Sequence, residues 1–284
     1  MTASYADSHQ GHKRSHNEDC FKAAPEIQLW LVADGVGGHA NGEVASAIVR
    51  DTLVSDVTRG TPLVDSIRHA HEAILQEISR HPTSNNMGST VVALQSQGSQ
   101  YEVAWVGDSR AYLFNGETLR QLTRDHNPVS ELLARGIITA EQAAHHPERN
   151  VLSQSLGVSE SIRLNPERVR GESRNGEQFL LCSDGLTDEL PDELILTLMR
   201  EHATPEEQVG ALIKAALDAG GRDNITAIVV GEKKAGFSLP GMGRERTQDS
   251  GRAVSADVTR KTIGQTAWMV LAVVTALALV WLVI

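Results

Sequence analysis

The chain alternates short apolar runs with longer stretches of helical periodicity and changes character near its end. Leu29-Trp30-Leu31-Val32-Ala33, Thr90 to Leu94, Tyr101 to Val106, Ala111 to Phe114, Phe179-Leu180-Leu181-Cys182-Ser183 and Ile225 to Val230 are runs of strand length, and they predict buried strands. Asn115-Gly116 predicts a hairpin turn into Leu119-Arg120-Gln121-Leu122. Glu43 to Val57 and Leu63 to Ile78 instead carry apolar residues at helical spacing, Ala45, Ile48, Val49 and Leu53, then Leu63, Ile67, Ala70 and Ile74, which predicts two helices covering one sheet. A third helix is predicted to open with Thr204 as N-cap, Pro205 at the first position and Glu206-Glu207 in the first turn. It stops at Gly220-Gly221, which sets Asp223 just beyond its end. Strands clustered between flanking helices indicate an α+β sandwich.

Between the strands, Asn127 to Gly157 carries two short helical patterns, Val129 to Arg135 and Thr139 to Ala144, the second opened by Thr139-Ala-Glu-Gln142 at capping-box spacing. The end of the chain is different again. Ala267 to Ile284 holds no charge, with Trp268 and Trp281 near its two ends and Arg244, Arg246, Arg252, Arg260 and Lys261 on its N-terminal side. Such a run is just long enough to cross a bilayer, and the basic flank predicts a cytoplasmic linker side. A buried core helix would need a polar face or a packed context that this run lacks. The reading is therefore a folded domain over 1–232, a flexible basic linker over 233–262 and a transmembrane helix over 263–284. No apolar leader segment stands between Met1 and His12, so the folded block is expected in the cytoplasm, held at the inner membrane by a single pass. A linker of roughly 30 residues reaches about 30 Å as a coil, which raises the local concentration of membrane-proximal targets.

Composition narrows the function. The 284 residues are 40% hydrophobic, enough for one sizeable core. A formal net charge of −10 argues against a nucleic-acid partner, whose phosphates call for concentrated Lys and Arg. The two cysteines, Cys20 and Cys182, lie in or beside core segments and read as packed free thiols.

The chemistry lies in acidic residues at the ends of apolar runs. Asp34-Gly35 and Asp184-Gly185 each follow a predicted strand, Glu18-Asp19 closes Arg14-Ser15-His16-Asn17-Glu18-Asp19, and Asp223-Asn224 leads into the last strand. One Asp-Gly alone is an ordinary surface turn. Several converging carboxylates instead suit hard divalent cations, which take oxygen ligands and can clamp a phosphate as a pair. Glycine after the aspartate lets the backbone turn so that its own carbonyl faces a cation.

These stretches, with Val32-Ala33-Asp34-Gly35-Val36-Gly37-Gly38-His39, Val106-Gly107-Asp108-Ser109-Arg110, Thr123-Arg124-Asp125-His126, Ser183-Asp184-Gly185-Leu186-Thr187-Asp188 and Gly221-Arg222-Asp223-Asn224-Ile225-Thr226, occur in the order found in the PP2C (PPM) metal-dependent serine/threonine phosphatases, which the chain resembles over residues 1 to 232. The resemblance implies a four-layer α-β-β-α sandwich with two central antiparallel β-sheets, a cleft at one end, and a mobile flap at about 127–157, a segment that would otherwise be a plain helical connector. It implies two Mn²⁺ or Mg²⁺ ions, with Asp34 bridging both, the Gly35 carbonyl on one, Asp184 and Asp223 on the other, and Glu18 and Asp19 acting through metal-bound water. Arg14 then grips the phosphate, and a hydroxide shared by the cations attacks phosphorus. Asp125 matches a position that joins Asp184 at a third, weaker cation in bacterial members, and is otherwise a solvated turn aspartate. Val36 departs from members with histidine after Asp-Gly. His39 is the nearest candidate general acid, and it equally suits a helix cap or a substrate contact. Asp108 and Arg110 read as structural, Asn224 as orienting Asp223, and Arg222 as extra charge beside the cleft. The expected partners are phosphorylated proteins, including a Ser/Thr kinase and its substrates at the membrane. A catalytically dead adaptor and a hydrolase of small phosphate esters are the competing readings. Intact metal aspartates speak against the first and the lack of a sensor domain against the second.

Overall fold

In the computed structural model the described residues are 3–37, 40–81, 87–158 and 164–233. Five strands, β1 (Ser4–His9), β11 (Ile225–Val230), β10 (Gln178–Cys182), β7 (Arg110–Phe114) and β8 (Leu119–Gln121), lie side by side in that order in one sheet. The other sheet runs β2 (Asp19–Ala24), β3 (Leu29–Val36), β5 (Val91–Gln97), β6 (Gln100–Val106) and β9 (Glu167–Glu172), with β4 (Gly88–Ser89) on β3. Every pairing is antiparallel.

Strand alternation sorts the side chains into three apolar layers. From β3, Trp30 and Val32 join Val92, Trp105, Leu181 and Ile228 between the sheets, while Leu29, Leu31 and Ala33 turn outward onto helices. Those helices are α1 (Ala40–Thr58) and α2 (Leu63–Arg80), whose Val49, Leu53, Ile67 and Ile74 are fully buried. The other sheet is covered by α5 (Asp184–Thr187), α6 (Asp192–Glu201) and α7 (Pro205–Ala219) through residues such as Leu186, Ile195 and Leu212. The four-layer α-β-β-α order is thus met. Thr204 caps α7 by a full capping box with Glu207, as its sequence predicts. Asn115 and Gly116 open a longer turn than the predicted two-residue loop, with the Asn115 side chain accepting from Glu117 and Thr118 N–H.

The segment after β8 folds into α3 (Pro128–Ala134), capped by Asn127, and α4 (Ala140–Ala144), opened by the Thr139–Gln142 capping box. No helix among the described residues is long and apolar enough to cross a membrane. The predicted linker over 233–262, apart from residue 233, and the span over 263–284 lie outside the described residues.

Candidate metal centre

The sandwich geometry sets the acidic residues at one end of the inter-sheet layer. Asp34 continues the face of β3 that carries Trp30 and Val32, and its cross-strand partner in the register is Asp19 of β2. Two carboxylates opposite each other in an antiparallel ladder repel, so this pairing costs stability. From the other sheet, Asp184 opens α5 with one residue between it and the end of β10, and Asp223 stands with one residue between it and the start of β11. The main chain of Asp34 is fixed on both sides: its N–H donates to Thr90 Oγ1 at 3.1 Å and its carbonyl accepts from Ser89 Oγ at 3.0 Å.

The two Asp-Gly glycines have a steric reason. A Cβ on Gly35 would lie 2.1 Å from the Gly42 carbonyl oxygen, and one on Gly185 would lie 2.0 Å from that of Asn224. Asn224 ties the strand-joining loop to the site. It accepts from the Glu18 N–H at 2.8 Å, donates its amide to the Gln10 and His16 carbonyls at 2.9 Å each, and its N–H donates to Asp223 Oδ1 at 2.8 Å. The expected orienting role of Asn224 toward Asp223 therefore has a direct contact behind it.

The carboxyls of this corner are desolvated and repel one another. Burial, then the charges of Asp19, Asp184, Asp108 and Asp223, holds the Asp34 carboxyl well above the usual carboxylate range. Asp184 is pushed the same way by burial and by Asp108, Asp223, Asp188 and Asp19. Burial raises Asp19 to about 6 against the pull of the Thr226 and Ser183 hydroxyls, and burial together with Asp125 raises Asp108 to about 7. One oxygen of Asp19 and one of Asp184 are buried with no hydrogen-bond partner. Among the described residues no three His, Cys, Asp or Glu side chains close on one point as a finished ligand set. The residues present nevertheless fit hard divalent cations: oxygen donors only, orphaned carboxylate oxygens, and repulsion that a cation would relieve.

Arg14, expected on the phosphate, donates Nη2 to Asp223 Oδ2 at 2.6 Å, with about half of its side chain exposed. Asp125 accepts a two-pronged bond from Arg110, whose Nη2 lies 2.7 Å from Oδ2, and a further bond from Gln121. This gives Arg110 its structural place and commits the Asp125 oxygens. Arg222 is folded onto Glu189 instead of standing free beside the site. His145 and His146 are each engaged by nearby backbone, and Cys20 and Cys182 are free thiols. His39 lies outside the described residues.

Asp108, Asp125, Asp184 and Asp188 share a cleft of about 850 Å³, whose other wall includes Ser130 and His145 of the segment after β8. Asp108, which the sequence reads as structural, lies close enough to Asp34 and Asp184 to push both carboxyls upward.

A model of the Protein phosphatase 2C family matches residues 2–225. The serine/threonine phosphatase stp of Listeria innocua is 36% identical over 236 residues, covering 78% of this chain and 92% of that protein. PstP of Mycobacterium tuberculosis is 37% identical over 232 residues, 79% of this chain and 44% of that longer protein. A crystal structure of a PstP catalytic domain in complex with two manganese ions superposes with a TM-score of 0.73 at 32% identity, covering 82% of this chain and 99% of that one. PppA of Pseudomonas aeruginosa, described as a key regulatory component of T6SS, superposes with a TM-score of 0.70 at 37% identity, covering 81% and 97%. With the acidic corner, the two-sheet sandwich and these likenesses together, the chain belongs to the protein phosphatase 2C family of metal-dependent protein serine/threonine phosphatases.

Proposed function

We propose that the carboxylate corner holds two Mn²⁺ or Mg²⁺ ions for hydrolysis of phosphoserine and phosphothreonine in proteins, with Asp34 shared between the ions, the Gly35 carbonyl on one, Asp184 and Asp223 on the other, and Glu18 and Asp19 steering their waters. The observation that carries this reading is the set of desolvated, mutually repelling aspartates with orphaned oxygens. When bound, the cations supply a hydroxide nucleophile near neutral pH and neutralise phosphate charge. The chain's own residues do the rest. The end of β3 holds the Asp34 main chain through Thr90 and Ser89, and the Asn224 N–H donates to the Asp223 carboxylate. Arg14 sits at the exposed rim, where its fork reaches a phosphate once it lets go of Asp223. Asp125 with Asp184 as a third cation site requires that Arg110 release Asp125, and His39 remains a candidate acid for the leaving alkoxide.

The charge-free run over 267–284 supports a single-pass anchor in the inner membrane, with the catalytic domain in the cytoplasm and a Ser/Thr kinase and its substrates as partners. The test is phosphate release from a phosphothreonine peptide by the full chain with Mn²⁺, with EDTA and as Asp34→Asn. Release that needs both Mn²⁺ and Asp34 is expected. No turnover by folded, Mn²⁺-loaded protein would return the adaptor reading. Sedimentation of the full chain with membranes, compared with a chain ending at residue 262, tests the anchor.

A further inference from the structure

The two halves of the acidic corner come from different sheets, Asp19 and Asp34 from one and Asp184 and Asp223 from the other. Their spacing therefore depends on whatever joins the sheets at this end. Apolar packing joins them elsewhere, but here the joint is made of hydroxyls. Asp19 Oδ2 accepts from Thr226 Oγ1 of β11 at 2.6 Å and from Ser183 Oγ, just after β10, at 2.8 Å. The hydroxyls are themselves held. Thr226 N–H donates to Ser183 Oγ at 3.0 Å, and Ser8 Oγ of β1 lies 2.7 Å from Thr226 Oγ1. Since the Thr226 proton is given to Asp19, Ser8 is the donor in that pair, and it accepts in turn from Asn17 Nδ2 at 2.8 Å. The Asp19 N–H donates to Asn17 Oδ1 at 3.1 Å, which closes the circuit.

Two donors of this circuit, the Ser183 and Thr226 hydroxyls, converge on one carboxylate oxygen, and the remaining bonds hold those hydroxyls in place. Asp19, Ser183 and Thr226 are buried, the latter two fully, so no water replaces a lost hydroxyl cheaply. With Oδ2 saturated, the other oxygen, Oδ1, is left buried and unpartnered. A structural clasp alone would use both oxygens or be replaced by apolar packing.

We propose that Ser183 and Thr226 are positioning residues for the metal centre: they clasp Asp19 across the two sheets, fix its rotamer and free its second oxygen for a cation-bound water. This rests on the assignment of Asp19 to the water shell of the metals. Outer partners of this kind are worth 10–100-fold in metal affinity.

The experiment measures Mn²⁺ affinity of the full chain by calorimetry and by loss of the free Mn²⁺ resonance signal, beside the Tm in EDTA. Thr226→Val and Ser183→Ala should each weaken Mn²⁺ binding by about 10-fold or more, while Thr226→Ser, which keeps the hydroxyl, stays within about 3-fold of the parent. Ser66→Ala removes another fully buried hydroxyl, one bonded to the Pro62 carbonyl far from the cleft, and should leave Mn²⁺ affinity unchanged. Parent-like affinity in cooperatively folded Ser183→Ala and Thr226→Val overturns the proposal, and so does weakening by Thr226→Ser equal to that by Thr226→Val. If Thr226→Val does not fold, Ser183→Ala and Thr226→Ser decide. Failure of the parent itself to bind Mn²⁺ would count against the metal reading, a separate outcome from loss confined to the clasp variants.

Discussion

Two regions of this molecule bury carboxylates, and they do so in opposite ways. Asp56, near the end of α1, has a side chain only 5% exposed, with Oδ2 2.6 Å from His69 Nδ1 and Oδ1 2.5 Å from Arg59 Nη2. Burial works against its charge, but the ring and the guanidinium outweigh that, and its carboxyl is held below the usual range. At the acidic end of the sandwich, Asp19, Asp34, Asp108 and Asp184 are all held above it. Among the described residues Arg14 serves Asp223 and Arg110 serves Asp125, and no Lys or Arg side chain donates to Asp34 or Asp184. Unit charges 4 Å apart near a protein surface interact by about 4 kcal/mol, so several uncompensated acids in one corner are a real cost. The chain supplies the countercharge at Asp56 and, among the described residues, supplies none at Asp34 or Asp184.

The largest expected effect comes from neutralising one member of each region. Asp34→Asn should lower Mn²⁺-dependent phosphate release by about 10³-fold or more, about 4 kcal/mol of barrier, because it removes the carboxylate expected to serve both ions. The same substitution should raise the Tm in EDTA, since it removes a buried carboxyl whose raised titration penalises the folded chain at neutral pH. Asp56→Asn should do the reverse: turnover stays near that of the parent, and stability falls by roughly 1–2 kcal/mol, the exposed halves of its partners limiting the loss. Thermal denaturation in EDTA reads both, and shifts of the same sign would dissolve the contrast.

How much of this contrast was legible depends on where each carboxylate gets its neighbours. Asp34 and Asp184 could be read because each ends a run that stays apolar on both faces, the pattern of a strand buried between a sheet and a helix layer. The capping box of α4 and the Thr204 N-cap of α7 are readable because they are local. By contrast β1 (Ser-Tyr-Ala-Asp-Ser-His) and β9 (Glu-Arg-Val-Arg-Gly-Glu) are edge strands of alternating exposure whose polar residues read as loop. The Ser8–Thr226 and Ser183–Asp19 contacts span most of the chain, and no pattern in either segment announces the other. Asp108 joins the cleft only because β6 and β7 belong to different sheets, so the turn between them crosses the sandwich at the metal end. Arg14 is expected on the phosphate, and in the structure its guanidinium is paired with Asp223, a partner 209 residues away that no local pattern announces.

The pH dependence of the two regions should also differ in sign. A raised acid keeps a proton in the folded chain that the unfolded chain has lost, so its contribution to stability falls as pH rises from about 4 toward the folded values of about 6 for Asp19 and about 7 for Asp108. Asp56, depressed by its partners, contributes stability above its unfolded value and loses it as pH drops through the lower folded value. Cations compete with the cleft protons. The rise in Tm caused by saturating Mn²⁺ should therefore grow between pH 5.5 and pH 7.5, as read by differential scanning fluorimetry. An increment that does not change over that range would mean that the cleft carboxylates are already ionised at pH 5.5.

The smallest expected effect belongs to the wall opposite the aspartates. The segment carrying α3 and α4 exposes Leu133, Ile137 and Val151, α4 buries no residue, and the segment meets the acidic wall where Asn150 Nδ2 donates to Asp188 Oδ2 at 2.5 Å. That bond is exposed, so deleting it by Asn150→Ala should change stability by no more than about 0.5 kcal/mol. Its effect should fall on substrates large enough to touch both walls. The KM for a phosphothreonine peptide is expected to shift by roughly 2–5-fold, the worth of one such hydrogen bond, while hydrolysis of p-nitrophenyl phosphate is unchanged. Equal shifts for both substrates would place the effect in the aspartates themselves and join the two walls into one unit. A peptide-specific shift keeps them apart: one side held by buried networks, the other by exposed contacts such as Asn150–Asp188.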